Sequence, residues 1–321
     1  MNAIKLLGTG RHVPSRCLTN DDLSRIVDTS DQWIRERTGI VTRYLCGQGE
    51  GNTSSALAAA RTAMERAGVG PADIGVCVAA TFTPDHATPS LACELHQLLG
   101  FAETTPAFDV NAACTGFLHA LETARCLLAA GHLRAPCALV VGSEALSRIT
   151  DFTDRSTCVL FGDGAAAAVI RLTDNAPYAC VLGARGDAQI LRSGGAGAAD
   201  RFIHMDGQAV FRFAVEALPR CVRQVLDRAG LGLEDVDRFV FHQANQRIID
   251  FAVKKLGVDP ARCTGNIART GNTSAASVPL LLDELVSAGD LRSGQRALCV
   301  GFGGGLTWAG ALVEVGEPHH P

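Results

Sequence analysis

Apolar positions along the chain fall into two kinds of stretch. Thr53 to Ala67 is alanine-rich and reads as a helix, with Gly68 as its C-terminal stop. Gly75–Ala80, Ala138–Val141 and Ala297–Val300 are short apolar runs that suit buried strands. Farther along, a helix is expected from about Ala214 to Ala229 and a strand at Arg238–Phe241. Strands that alternate with helices predict α/β layers with mostly parallel sheets.

The alternation is written twice. Met64-Glu65-Arg66-Ala67-Gly68-Val69-Gly70 is echoed by Leu226-Asp227-Arg228-Ala229-Gly230-Leu231-Gly232, an offset of 162. Leu99-Gly100 returns as Leu256-Gly257, and Ala138-Leu139-Val140-Val141-Gly142 as Ala297-Leu298-Cys299-Val300-Gly301. A register held over so long a stretch indicates an internal duplication. The expected halves are 1–173 and 174–321, with Asp174–Ala199 as the connector. Two such halves packed together would share a site at their junction, near strand ends.

Composition narrows the chemistry. The formal net charge is −4 and 19% of residues are charged, so no bulk electrostatic attraction to nucleic acid is expected. Lysine occurs only at Lys5, Lys254 and Lys255, and no Gly-Lys-Ser/Thr phosphate loop exists. The 12 cysteines never approach Cys-x-x-Cys spacing, which argues against a zinc or dithiol site. Gly8-Thr9-Gly10 lacks the third glycine of a dinucleotide fingerprint. No basic and apolar leader opens the chain, and no apolar run nears the ~18 residues that span a bilayer. A reduced, cytoplasmic protein without membrane contact is expected, its cysteines mostly small buried apolar residues.

The chemistry concentrates at turns. Cys114 follows Asp109-Val110-Asn111-Ala112-Ala113 and precedes an alanine-leucine helix reaching about Ala130. Unpaired N–H groups and the positive dipole end at such a turn lower a thiol's pKa and favour a nucleophile. Burial as a packing residue is the alternative. An offset of 158 carries Cys114 onto Asn272, again at a turn before an apolar helix, and the strand at Arg238–Phe241 runs straight into His242. A thiol, an imidazole and a carboxamide at duplicated positions can act on a thioester without a metal. Taken singly, His242 and Asn272 would be a strand cap and a turn former. Gly301-Phe302-Gly303-Gly304-Gly305 is either an approach for substrate to backbone N–H groups or a hairpin. Phe161-Gly162-Asp163-Gly164-Ala165 reads as a structural turn.

At these residues the sequence resembles β-ketoacyl-acyl carrier protein synthase III, of the thiolase-fold condensing enzymes. The resemblance runs nearly end to end, through Ser30-Asp31-Gln32-Trp33-Ile34-Arg35-Glu36-Arg37-Thr38-Gly39-Ile40, the Cys114 turn and Asp154-Arg155-Ser156-Thr157. It continues through Phe161–Ala165, His242-Gln243-Ala244-Asn245, Gly271-Asn272-Thr273-Ser274 and the terminal glycine cluster. Asn272 matters most, because thiolases place a second cysteine there and elongating synthases a second histidine.

The resemblance implies a five-layered α/β/α/β/α fold, and a homodimer that needs no metal or redox cofactor. Cys114 would take an acyl group from acyl-CoA, while His242 and Asn272 would hold the thioester carbonyl of malonyl-acyl carrier protein during decarboxylation. The N–H groups of Cys114 and Gly304 would receive the oxyanion, and Phe302 would shield the thiol. Trp33 and Arg155 would bracket the CoA adenine; Arg37, Arg247 and Asn245 would line the CoA entrance. Arg212, Arg247, Lys254 and Lys255 would face the acidic carrier protein, although a solvated helix face accounts for the charges equally well. Thr88 stands where short-primer enzymes often carry a bulky aromatic at the dimer-facing wall of the acyl pocket, which implies longer or branched primers. A synthase III-like acyltransferase or starter-unit ketosynthase of secondary metabolism is the alternative.

Overall fold

The computed structural model describes residues 3–195 and 197–318. In the first half, strands β1 (Ala3–His12), β2 (Ile74–Ala80), β3 (Ala107–Val110), β4 (Cys137–Glu144) and β5 (Gly164–Thr173) form a sheet in the order β1-β5-β4-β2-β3. The second half supplies β6 (Cys180–Asp187), β7 (Arg238–Phe241), β8 (Arg296–Gly303) and β9 (Gly305–Val315), in the order β6-β9-β8-β7. Each half places its last strand antiparallel between two neighbours: β5 between β1 and β4, and β9 between β6 and β8. The two sheets meet through a short parallel pairing of Lys5-Leu6 with Glu314-Val315.

The helices are α1 (Asp31–Thr38), α2 (Asn52–Ala67), α3 (Leu91–Leu99), α4 (Gly116–Ala129), α5 (Gly207–Ala229), α6 (Gln246–Leu256) and α7 (Ser277–Ala288), besides shorter turns. Helix α2 packs on β1, β4 and β5, and α5 covers β6, β8 and β9 on the far side. Between the sheets, α4 and α7 touch strands of both halves. Five layers result, and the middle one holds the largest apolar cluster, including Phe117, Leu121, Val278 and Leu281.

Local chemistry explains the matching halves. Helices α2 and α5 both end at a glycine in the left-handed region, Gly68 (φ 66°) and Gly230 (φ 68°). Each is followed by a 3-10 turn whose aspartate, Asp73 or Asp235, accepts from the N–H of Gly70 or Gly232 at 2.8 Å. A strand then begins.

Three expectations are corrected. The sheets are mixed rather than mostly parallel, because β9 returns from β8 after a single residue and has no crossover helix to reverse its direction. The supposed connector Asp174–Ala199 contains β6, which pairs with β9 as β1 pairs with β5. Helix α5 starts at Gly207 rather than near Ala214, with Asp206 capping the N–H groups of Gln208 and Ala209.

Candidate active site

Cys114 sits in the 3-10 turn Ala113–Thr115 that opens α4. Ala113 adopts φ 46°, a conformation that side chains rarely take, and Asn111 Oδ1 accepts from its N–H at 3.2 Å. The second half repeats the turn at Ser274–Ala276, where Ser274 has φ 48°. The structural partner of Cys114 is therefore Ala275, and the sequence offset of 158 is three residues out of register here. Helix α7 is shorter than α4 (12 residues against 14), which brings the offset from 161 at the turn down to 159 beyond it.

Backbone crowds the thiol. A Cβ on Gly303 would lie 2.9 Å from both Cβ and N of Cys114, so only glycine fits. The N–H groups of Cys114 and Gly304 both bond toward the sulfur, and Ser274 Oγ donates to it at 3.4 Å. These donors favour the thiolate, yet burial prevails and pushes the thiol up to about 11, with the Glu144 carboxyl adding to the rise. The expected lowering of this pKa is thus reversed, because the residue is only 8% exposed.

His242 leaves β7 with its N–H bonded to Val300 O at 2.8 Å. Its Nδ1 lies 3.0 Å from Ser277 Oγ, which already accepts from the Gln243 N–H at 2.7 Å. With the serine proton pointed at Nδ1, the histidine proton sits on Nε2. Burial holds the ring's pKa down at about 3, so the imidazole is neutral. Phe302 packs edge-on against it, centroids 5.4 Å apart. That aromatic therefore buttresses the histidine.

Asn272 is fixed from its backbone outward. Its N–H donates to Leu160 O at 2.8 Å and its C=O accepts from Gly162 N–H at 3.0 Å. The turn through Phe161–Gly162 is structural, as read, and its function is to position this asparagine. Asn272 Oδ1 accepts from the Ser274 N–H at 2.9 Å, which turns the carboxamide so that Nδ2 is the end left to donate.

A cavity of about 420 Å³ reaches this junction, with Cys114, Ser274, Gly304, Phe82, Phe161 and Thr307 in its wall. His242 and Asn272 lie outside that wall, 1% and 7% exposed, and are linked to it through the Gly301 backbone and Ser274. Thr88 is exposed and also absent from the wall, so within one chain it does not bound the cavity.

The other expected residues form two surface groups. Trp33, on α1, carries the guanidiniums of Arg37 and Arg155 over its ring, at 4.7 and 5.0 Å from the centroid. Asn245 caps α6 through the Arg247 N–H and donates from Nδ2 to Arg37 O at 3.0 Å, tying that helix to α1. On α5 and α6, Arg212, Arg247, Lys254 and Lys255 are all exposed, with Arg247 lying over Phe211. Ser274, Ser277 and Glu144 were not singled out from sequence. Ser274 stood in a quoted motif, but nothing local marks a hydroxyl whose partners are more than a hundred residues away.

A duplicated five-layer α/β fold, its two similar halves packed around a shared helical layer, is that of a thiolase-fold enzyme. Residues 108–187 match the family model described as 3-oxoacyl-[acyl-carrier-protein (ACP)] synthase III, and residues 226–315 match the model of its C-terminal part. The chain is 43% identical to a β-ketoacyl-[acyl-carrier-protein] synthase III of Clostridium acetobutylicum, over 98% of this chain and 99% of that one. A synthase of that name from Rhodospirillum rubrum is 44% identical, covering 97% and 98%. Among solved structures, 3-oxoacyl-[acyl-carrier-protein] synthase III from Aquifex aeolicus superposes with a TM-score of 0.91 at 39% identity, covering 97% and 99%. The priming β-ketosynthase of the R1128 polyketide pathway gives 0.93 at 37%, covering 99% and 97%. The chain belongs to the β-ketoacyl-acyl carrier protein synthase III family of acyltransferases.

Proposed function

We propose that this enzyme condenses an acyl-CoA primer with malonyl-acyl carrier protein, giving 3-oxoacyl-carrier protein and carbon dioxide, and so starts fatty acid synthesis. The observation that carries the reading is a cavity with Cys114 in its wall and two backbone N–H groups acting on the sulfur. Cys114 attacks the acyl-CoA carbonyl, and the N–H groups of Cys114 and Gly304 hold the oxyanion. Malonyl-carrier protein then enters. His242 Nε2–H and Asn272 Nδ2–H donate to its thioester carbonyl, and the enolate left by carbon dioxide attacks the Cys114 thioester. A neutral imidazole that donates suits that step better than a charged one, since the enolate must remain nucleophilic.

The reaction draws on no metal or redox group, because decarboxylation generates the carbanion. The stack at Trp33, Arg37 and Arg155 suits the CoA nucleotide: an adenine enters by displacing one guanidinium from the indole, and the cations meet phosphate. Asn245 and Arg247 line the approach. Arg212, Arg247, Lys254 and Lys255, on two packed helices, form a basic face for the acidic carrier protein. The enzyme acts as a cytoplasmic homodimer of two 174–321 halves and two 1–173 halves, with Thr88 at the partner-facing edge.

Incubation with malonyl-carrier protein and a panel of acyl-CoAs, read by mass, tests the reading. It predicts carbon dioxide release and a 3-oxoacyl-carrier protein, the latter lost in Cys114→Ala; an acylated Cys114 without carbon dioxide sinks it. Likeness to the R1128 priming ketosynthase favours a second reading, a starter-unit enzyme, which predicts preference for longer primers over acetyl-CoA.

A further inference from the structure

Two backbone donors serve the acyl oxygen in the scheme above, and they come from opposite halves of the molecule. The Cys114 N–H belongs to the turn Ala113–Thr115 that opens α4, and the Gly304 N–H to the single residue between β8 and β9. The two turns are pressed together: a Cβ on Gly303 would lie 2.9 Å from Cys114 N, and one on Gly304 would lie 3.7 Å from Ala113 Cβ. Among the described residues, no backbone N–H to C=O bond joins them. Contact alone sets the spacing of the donors loosely, and Gly304 has no side chain to restrain its own rotation.

A pair of hydroxyls bridges the turns. Thr115, wholly buried, follows the nucleophile; Thr307 is half-buried in the cavity wall and lies opposite Gly303 in the β8–β9 ladder. Thr115 Oγ1 lies 2.9 Å from Thr307 Oγ1 and 2.8 Å from Ala112 O, and Thr307 Oγ1 lies 3.2 Å from Gly304 O. Two hydroxyls have two protons for these three contacts. Oxygens 2.9 Å apart with no proton between them repel, so every favourable arrangement includes the bond between the threonines. The second proton then serves Ala112 O or Gly304 O. Neither hydroxyl is needed to hold its own segment. The Thr115 N–H already donates to Ala112 O at 3.1 Å, and Thr307 is fixed in the ladders of β9 with β8 and β6.

We propose that Thr115 and Thr307 are a positioning pair that clips the nucleophile turn to the terminal glycine turn and so sets the spacing of the two oxyanion donors. As the Cys114 thiolate bonds to the acyl carbon, one electron pair of the carbonyl moves onto its oxygen. It returns to the carbon when the bond to the CoA sulfur breaks and CoA leaves as its thiolate. The charge is stabilised only while both N–H groups stand at hydrogen-bond distance from that one oxygen, and a misplacement of about 1 Å costs roughly a hundredfold in rate. The inference rests on Cys114 being the acyl acceptor.

The carbonyl stretch of acetyl-Cys114 reads the donors directly. Cys114 is acetylated with isotope-labelled p-nitrophenyl acetate, and Cys114→Ala treated alike supplies the blank for the other cysteines in the infrared difference spectrum. The wild-type band should lie below that of a free thioester, because two donors draw charge onto the oxygen. Thr115→Val and Thr307→Val keep the side-chain shape and remove the link. Each should move the band up toward the free thioester. Each should also slow single-turnover acylation by the preferred acyl-CoA about tenfold, with its half-saturating concentration unchanged. The double variant should be no slower than either single one, since the same link is lost in all three. Thr307→Ser should restore the band and most of the rate. A band that stays in place in both valine variants overturns the clip even where the rate falls, because a merely structural fault slows the enzyme without moving the carbonyl. If Thr115→Val fails to fold, the half-buried Thr307 decides alone. Chemical acetylation separates this idea from the functional reading. A band that shifts in the variants of an enzyme that no acyl-CoA acylates sinks the function and leaves the clip. Acylation by acyl-CoA with a band indifferent to both threonines does the opposite.

Discussion

A buried imidazole and a buried carboxyl respond to pH in opposite ways, and both sit within this site. His242 is kept neutral by burial, and its donor end is set by Ser277. Ser277→Ala removes the hydrogen bond to Nδ1 and frees the ring to adopt the other tautomer. We expect carbon dioxide release from malonyl-carrier protein to fall about tenfold, the equivalent of one ordinary hydrogen bond, with Cys114 acylation unchanged. Paired decarboxylation and mass-shift assays read that split. Glu144 has a folded-state pKa raised from 4.5 to about 8. Its contribution to stability is fully present below the unfolded value and is lost as pH rises through the folded one. Glu144→Gln removes the cost of ionising the group, so its melting temperature should gain on the wild type between pH 4.5 and pH 8. A difference that is flat across this window contradicts the raised pKa.

Close packing of whole elements sets the positions of these side chains. A Cβ on Gly162 would lie 2.4 Å from Thr270 O, and this glycine's N–H holds the Asn272 carbonyl. Gly162→Ala should displace Asn272 and slow condensation about tenfold or more while Cys114 still acylates, measured by product formation against the acyl-enzyme mass. At the first sheet, a Cβ on Gly10 would lie 2.3 Å from Ala59 O and 2.5 Å from Ala63 N. The alanine-rich α2 can sit this near β1 only because neither element carries bulk there. Gly10→Ala should destabilise the fold by about 1–3 kcal/mol or more, since backbone has little room to yield, and a lowered melting temperature checks it. Elements of this kind were legible. The strand Arg238–Phe241 was placed at its observed bounds, and the helix at Thr53–Ala67 within one residue. Their signals are local: an apolar run, a glycine stop. The pairing of β6 and the antiparallel return of β9 were missed, because strand direction depends on how the chain comes back.

The two halves are held together by apolar packing and by ionic contacts between them, Lys5 with Glu314 and a cluster at Asp283. Asp283 on α7, its side chain wholly buried, accepts from Arg11 on β1 at 2.5 Å and from Arg66 on α2 at 2.7 Å. Asp283→Ala leaves two guanidiniums that are 36% and 47% exposed and so solvated, and should cost about 1 kcal/mol. Denaturant unfolding would show it, and an unchanged midpoint would contradict this role. By itself the sequence determined the doubled α/β plan and the turns before α4 and α7, and it made Cys114, His242 and Asn272 the candidates for the site, because periodicity, glycine stops and turn residues act over a few positions. The tertiary structure alone decided which residues surround the sulfur, that Ala275 rather than Asn272 is the counterpart of Cys114, and that Thr88 stands outside the cavity wall. It also decided that the thiol pKa is raised. Desolvation and hydrogen bonding depend on every group within a few ångströms, and the chain brings those groups from more than a hundred residues apart.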